Sequence, residues 1–452
     1  MKKVLLVIFL FLSASTSRAI LPLPYSLDAV EESPQVWQEE LRPKDVRAYN
    51  ELFTASQLRE MELPNFDNSQ GVLGYQSDTF AVPQELRSRV DFWKKIYTQY
   101  TSTQALLHDS EYLGIVYDVV DISDLISDEN IPYRKRMRSV SRFLKAKKEV
   151  IQAQLRQLQA LSATPVEIPV DLFPLFKKFE SIPDKDKFKA AANRVRAQVG
   201  QRDRIVQGFL YGGRYYSKMM DIFAHEKLPK ELTRLTLVES AFNLSARSKV
   251  GASGVWQFMR STGKFFLRIN RSVDERNDPL AATWAAAQFL RQNYDALGSW
   301  PLAVTAYNHG REGMARAVRQ LATTNLPDII RNYKARTFGF ASSNFFSEFL
   351  AVLEVEREYR KFFGKLLVDP PLQFEEYLIA DNSKLDTIAE GCKVKREILT
   401  ALNPAFTDWV ISGRGFVPKG YSVKVPPESL AQCKSGLKVG GLINPARTTR
   451  SG

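Results

Sequence analysis

The chain has 452 residues, 44% of them hydrophobic and 25% charged, proportions that suit two or three globular domains and exclude a single small one. Lys and Arg number 63 against 50 Asp and Glu, a formal charge of +13, so anionic partners are expected: nucleic acid, lipid headgroups or a wall polymer. With only two cysteines, and with His108, His225 and His309 far apart in the chain, the spacing of a Cys/His metal site is missing.

Lys2 and Lys3 precede the apolar run Val4 to Leu12, and Ser17, Arg18 and Ala19 form a small-x-small cleavage site, the pattern of a signal peptide over 1–19. The alternative is a retained anchor, but the run is too short to cross ~30 Å of hydrocarbon as a helix. Export removes nucleic acid from the partners. In an exported chain, Cys392 and Cys433 are expected to pair rather than to act as nucleophiles, two free buried thiols being the alternative.

Residues 20–80 are rich in proline and turn-formers and read as an irregular wrapping segment. From Pro83 onward Leu86, Val90, Trp93 and Tyr97 recur at intervals of three and four, the buried face of an amphipathic helix. A second long helix spans Pro132 to Leu161, with Met137, Val140, Leu144, Ile151, Leu155 and Leu158 near heptad spacing. Its basic face from Arg134 to Lys148 is either a solvated helix face or a peripheral contact with an anionic membrane or wall. Pro165, Pro169 and Pro174 then impose an extended connector. Another helical piece is expected around Phe188 to Val199.

Leu228, Leu232, Leu235 and Val238 fall at helical spacings behind Pro229, and Glu239 follows beside that apolar stripe. A carboxyl partly removed from water favours its neutral form, as a general acid near neutral pH requires. Taken alone, Glu239 would more simply be a cap or an ion-pair partner. Ser248, Gly251, Gly254 and Gln257 follow in a run of small residues that lets backbone approach a ligand and delivers an amide at a fixed distance. Asp278 and Pro279 open a helix to Leu297, which Gly298 ends. A further helix over 301–308 closes with Ala306, Tyr307, Asn308, His309 and Gly310, and Tyr307 is placed to hold a carboxyl in one rotamer.

In this order, ESAF, SKVGASGVWQFM and AYNHG resemble the lytic transglycosylases of the goose-type-lysozyme-like superfamily, most closely the membrane-bound lytic transglycosylase D type, over about residues 205–320. The resemblance implies Glu239 as the sole catalytic carboxylate and Ser248 and Tyr307 as residues that position it. It further implies Ser240, Gln257, Met259 and Asn308 as residues that grip the glycan. The implied reaction is cleavage of the β-1,4 bond between N-acetylmuramic acid and N-acetylglucosamine, with closure of a 1,6-anhydro ring and no cofactor. Arg260 stands where the family commonly has proline, and His309 replaces a small residue; both bear on the shape of the groove rather than on the chemistry.

Phe345, Phe346, Phe349, Leu350 and Leu353 continue the helical domain to Pro370 and Pro371. Beyond them a strand, helix, helix, strand pattern resembles one LysM module, which implies binding of N-acetylglucosamine-containing glycan, although Asp381, Asn382 and Ser383 replace the usual Gly-Asp. The expected protein is mainly α, with a helical N-terminal region over 20–200, a lysozyme-like catalytic domain over 201–370, a small α/β LysM-like module over 371–433 and a disordered tail over 434–452. It is expected in the periplasm or elsewhere in the cell envelope, acting on peptidoglycan glycan strands. A hydrolytic muramidase of the same fold, or a silent wall-binding scaffold, are the alternatives.

Overall fold

The computed structural model describes residues 36–38, 61–62, 78–162 and 167–437. The expected leader, most of the wrapping segment and residues 438–452 lie outside them. The two short pieces of the wrapping segment, β1 (Val36–Gln38) and β2 (Met61–Glu62), pair antiparallel with residues 246–248 and 367–368. Their backbone therefore reaches the segment after Glu239 and the far end of the helical domain.

Helix α1 (Arg87–Thr98) buries Val90, Trp93 and Tyr97, as the periodicity requires. Strands β3 (Gln104–Asp109) and β4 (Val116–Asp121) follow, then the long helix α2 (Tyr133–Ser162) and, after two short helices, β5 (Val195–Val199). The strands form an antiparallel sheet in the order β4, β3, β5. Alternate residues of a strand face opposite sides, and β3 uses both: Ala105 and Leu107 join a core shared with α2, while Leu106 joins the main helical core. All six apolar residues expected on α2 are buried there. Arg134, Lys135, Arg138, Arg142, Lys145 and Lys147 are exposed. The piece expected to be helical from Phe188 to Val199 is instead a helix over Lys187–Ala192 followed by β5. Val195 and Val199 suit a pleated strand, and the free side of β3 supplies its partner.

The main core unites α1 with α3 (Arg202–Gly212), α4 (Tyr216–His225), α5 (Leu235–Ser240), α6 (Pro279–Leu297), α7 (Trp300–His309), α8 (Arg311–Leu321) and α9 (Phe340–Arg357), and the short strand β6 (Ala246–Ser248) follows α5. Asp278 caps α6 by accepting from Leu280 N and Ala281 N at 2.9 and 3.1 Å, and Gly298 ends it in the left-handed conformation. The helix that carries Glu239 is in two parts, a 3-10 turn over Lys230–Arg234 and then α5. Leu228, Leu232, Leu235 and Val238 are all buried. Helix α9 packs along α1 and α7 and across α5.

After β7 (Leu367–Val368), the C-terminal unit runs β8 (Glu375–Leu378), α10 (Leu385–Cys392), α11 (Arg396–Leu402), β9 (Ser422–Val425) and α12 (Leu430–Gly436), with β8 and β9 antiparallel. Cys392 and Cys433 form a disulfide between α10 and α12. Because α12 continues to Gly436, the tail cannot begin at residue 434 as expected. The unit is docked on the main domain: Asp274 N donates to Ala405 O at 2.8 Å, Thr407 N donates to Ser272 O at 3.1 Å, and Lys424 pairs with Asp278. Among the described residues no helix is long and apolar enough to cross a membrane.

Candidate active site

Glu239 lies in the last turn of α5, half-buried, between the apolar stripe and the chain reversal that follows. The reversal places Ala241 and Phe242 in succession at φ of 48° and 55°. Left-handed backbone is unfavourable for residues with a Cβ, and what holds it here is Phe242, fully buried between the rings of Tyr215 and Tyr216. Burial pushes the Glu239 carboxyl up to about 8. It is therefore largely protonated at neutral pH, as an acid catalyst must be.

The glycine-rich segment folds back on β6. Ala252 N donates to Ser248 Oγ at 2.8 Å, Ser248 N to Ala252 O at 2.9 Å, and Gly254 N to Ala246 O at 2.9 Å. Gly254 sits at φ +77°, and a Cβ there would lie 1.8 Å from the carbonyl oxygen of Arg276, so no other residue fits without displacing backbone. Arg276 is itself buried; its Nη1 donates to Gly251 O at 2.7 Å and Phe258 O at 3.0 Å, while Asp274 neutralises it at 2.7 Å. Trp256 anchors the segment inside the core, stacked on Phe223 and donating from Nε1 to Thr283 Oγ1 at 2.9 Å.

Helix α7 closes the site. Tyr307 Oη donates to the carbonyl oxygen of Trp256 at 2.9 Å, and the ring packs against Phe258 and Phe289. Burial and then the charge of Glu239 push the Tyr307 phenol well up. Asn308 Oδ1 accepts from Ser342 Oγ on α9 at 2.8 Å.

These distances give the expected site residues distinct tasks. Tyr307 is tied to the Trp256 carbonyl and feels the charge of Glu239. Ser248 is nearly buried and braces the glycine-rich segment. Gln257, at φ +49°, directs its Nε2 to Ala246 O at 3.1 Å and Gly254 O at 2.8 Å, so its amide nitrogen supports the segment from within. Ser240, expected against the glycan, is instead fully buried, and its hydroxyl donates to Thr236 O and Val255 O. A hydroxyl at helix position 240 points inward when Glu239 points to the rim. Met259 is 37% exposed, and Asn308 is held against Ser342. Arg276 and Glu348 went unnoticed in the sequence. Glu348, on α9, is buried, and its carboxyl is pushed up to about 8 by burial and by the charge of Glu239. A charged residue in a loop and a glutamate among phenylalanines carry no periodic signal; proximity in the fold is what marks them.

Residues 222–326 match the family of the transglycosylase SLT domain. Over 94 residues, 20% of this chain and 21% of the relative, the chain is 40% identical to the membrane-bound lytic murein transglycosylase D of Escherichia coli strain K12. Over 114 residues, 24% of this chain and 54% of the relative, it is 36% identical to a protein of Alteromonas sp. strain M-1 described by its tributyltin chloride resistance. The match thus spans about a fifth of the first relative and about half of the second. Glu239, the glycine-rich segment and Tyr307 all fall inside residues 222–326, in the mainly α, lysozyme-like part of the chain.

Proposed function

We propose that this chain, which carries a transglycosylase SLT domain at residues 222–326, is an exported peptidoglycan lytic transglycosylase in which Glu239 is the sole acid and base. The observation that carries this is the state of Glu239, a half-buried carboxyl held at about 8 in the segment where the domain match lies. Glu239 delivers its proton to the glycosidic oxygen between N-acetylmuramic acid and N-acetylglucosamine, and that C–O bond breaks. The 2-acetamido group of the substrate stabilises C1. The Glu239 carboxylate then takes the proton of the muramyl 6-hydroxyl as O6 bonds to C1, which closes the 1,6-anhydro ring and restores the acid. One carboxyl used twice replaces the two of ordinary glycosidases.

Met259 at the rim contacts glycan in this scheme, and Ser248, Gln257 and Tyr307 fix the groove around Glu239. The C-terminal unit, with a strand, two helices and a strand in LysM-like order, binds N-acetylglucosamine-containing strands. The exposed basic face of α2 draws the enzyme to anionic wall or membrane in the cell envelope.

Digestion of purified peptidoglycan followed by mass spectrometry of the muropeptides tests the reaction. Anhydro-muramyl ends are expected. Reducing ends would make the protein a hydrolytic muramidase, and the absence of products a scaffold.

A further inference from the structure

The seam between the main domain and the C-terminal unit gathers cations around two aromatic rings. Arg271, in the main-domain loop before Asp274, sets its guanidinium carbon 3.6 Å from the centre of the Trp409 ring, a separation that only contact with the ring face allows. Arg414, from the C-terminal unit, stands 5.1 Å from the centre of the same ring. Lys384 lies 4.2 Å from the centre of the Phe416 ring, which is 47% exposed, and its Nζ donates to Gly413 O at 2.6 Å. Backbone contacts fix the group. Thr407 Oγ1 donates to Arg271 O at 2.7 Å and so ties the loop of one arginine to the stretch that carries Trp409. Gly415 N donates to Trp409 O at 2.6 Å, and a Cβ on Gly415 would lie 2.2 Å from the indole, so the chain wraps that ring closely. Among the described residues neither Arg271 nor Arg414 nor Lys384 forms an ion pair: the carboxylates near the seam are taken by other cations, Asp386 by Arg396, Asp278 by Lys424 and Asp274 by Arg276. Asp408, beside Trp409, is exposed and pairs with none of them.

We propose that this seam binds the free carboxylates of the stem peptides carried by peptidoglycan strands, with Arg271 and Arg414 as the anion-binding pair and Phe416 as an apolar contact beside them. A guanidinium laid on an aromatic face keeps its N–H groups at its edge, in the plane where a carboxylate accepts two of them. The N-acetylated sugars of the strand are neutral, and its peptides supply the anion that three neighbouring cations call for. The site needs both units, since one arginine comes from each, and it is complete only while the C-terminal unit is docked. The loop that presents Arg271 runs on to Asp274 and Arg276, and Arg276 braces Gly251 O and Phe258 O of the glycine-rich segment. One loop therefore serves both the carboxylate site and the segment after Glu239, and a strand held by its peptide at the seam is held close to the groove. The enzyme would then favour peptide-bearing strands over bare ones.

This inference rests on peptidoglycan being the substrate, and co-sedimentation of the full chain carrying Glu239→Gln, which does not consume its ligand, tests the two separately. Binding to purified peptidoglycan is compared with binding to the same material after its carboxyls have been capped as methylamides. Capping is expected to weaken binding about tenfold, roughly what two exposed charge contacts contribute together. With Arg271→Gln and Arg414→Gln added, affinity for native material is expected to fall close to that for capped material, and most of the effect of capping disappears, although the basic face of α2 is unchanged. Equal binding of native and capped material by the protein that keeps both arginines overturns the proposal, and this comparison needs no seam variant to fold. An effect of capping as large in the double variant as in its parent overturns it too. If the double variant instead loses binding only to vesicles of phosphatidylglycerol and phosphatidylcholine, the patch faces a membrane and the proposal fails. Failure to bind peptidoglycan in either form would defeat the reading of peptidoglycan as the substrate.

Discussion

The hydroxyl of Tyr307 reaches the carbonyl oxygen of Trp256 at 2.9 Å and so joins the last turn of α7 to the glycine-rich segment. Since Trp256 is fully buried and fixed to Thr283 and Phe223, the bond sets where α7 ends relative to the acid. Tyr307→Phe keeps the ring among Phe258 and Phe289 but leaves the Trp256 carbonyl without this donor. The expected cost is about 1 kcal/mol in stability and a fall in kcat of up to about 100-fold from a misplaced site, read by thermal unfolding and by product formation.

Glu239→Gln abolishes turnover, by at least about 100-fold, and leaves glycan binding in place. It also changes stability with a definite sign. The folded carboxyl is raised from its ordinary 4.5 to about 8, so between those values the unfolded chain is ionised while the folded one keeps its proton, and wild-type stability falls as pH rises through that window. The amide does not titrate. Glu239→Gln is therefore expected to be more stable than the wild type at pH 8 by up to a few kcal/mol, an advantage that shrinks toward pH 4. Melting temperatures of both proteins across this range provide the check, and a constant difference would contradict the burial of the acid.

The periodic parts of this molecule were legible in the sequence. The heptad-like spacing on α2, the stripe behind Glu239 and the cap and stop of α6 at Asp278 and Gly298 are local signals, and the fold uses them as written. What is not local was hidden. Strand β5 exists because β3 has a free edge, and Val195 to Val199 alone resembles the end of a helix. Ser240 carried the motif but faces the core, because adjacent helix positions point about 100° apart and Glu239 takes the rim. Arg276 gains its role from carbonyls 18 and 25 positions away in the chain.

Gly254 is the position in the glycine-rich segment with no alternative. Its left-handed φ and the Arg276 carbonyl 1.8 Å from a notional Cβ mean that Gly254→Ala must move backbone on one side or the other. About 2 to 4 kcal/mol of destabilisation is expected, with activity lost ahead of global unfolding because the same backbone carries Gln257 and Trp256. Gly251, at φ +90° but with open space around it, is the control: Gly251→Ala is expected to cost about 1 kcal/mol from strain alone. Equal effects at the two positions would mean that the clash at Gly254 is relieved.

The disulfide closes a segment with a sequence separation of 41 between Cys392 and Cys433. A loop of that length is expected to contribute roughly 4 kcal/mol through the unfolded state. Replacing both cysteines by serine therefore weakens the C-terminal unit first, since α10 and α12 are the elements joined. The main domain has its own core, and the two parts meet through Phe406 and Val273, Thr407 and Ser272, and Lys424 and Asp278. Asp278 also caps α6, so loosening of the unit frees a carboxylate that already has two backbone donors rather than unravelling the helix. The double serine variant is expected to lose hydrogen-exchange protection in 375–436 while α6 and α7 stay protected, with cleavage of soluble glycan fragments falling only a few-fold. Simultaneous loss of protection in α6 would show instead that the C-terminal unit is part of the scaffold that holds Glu239.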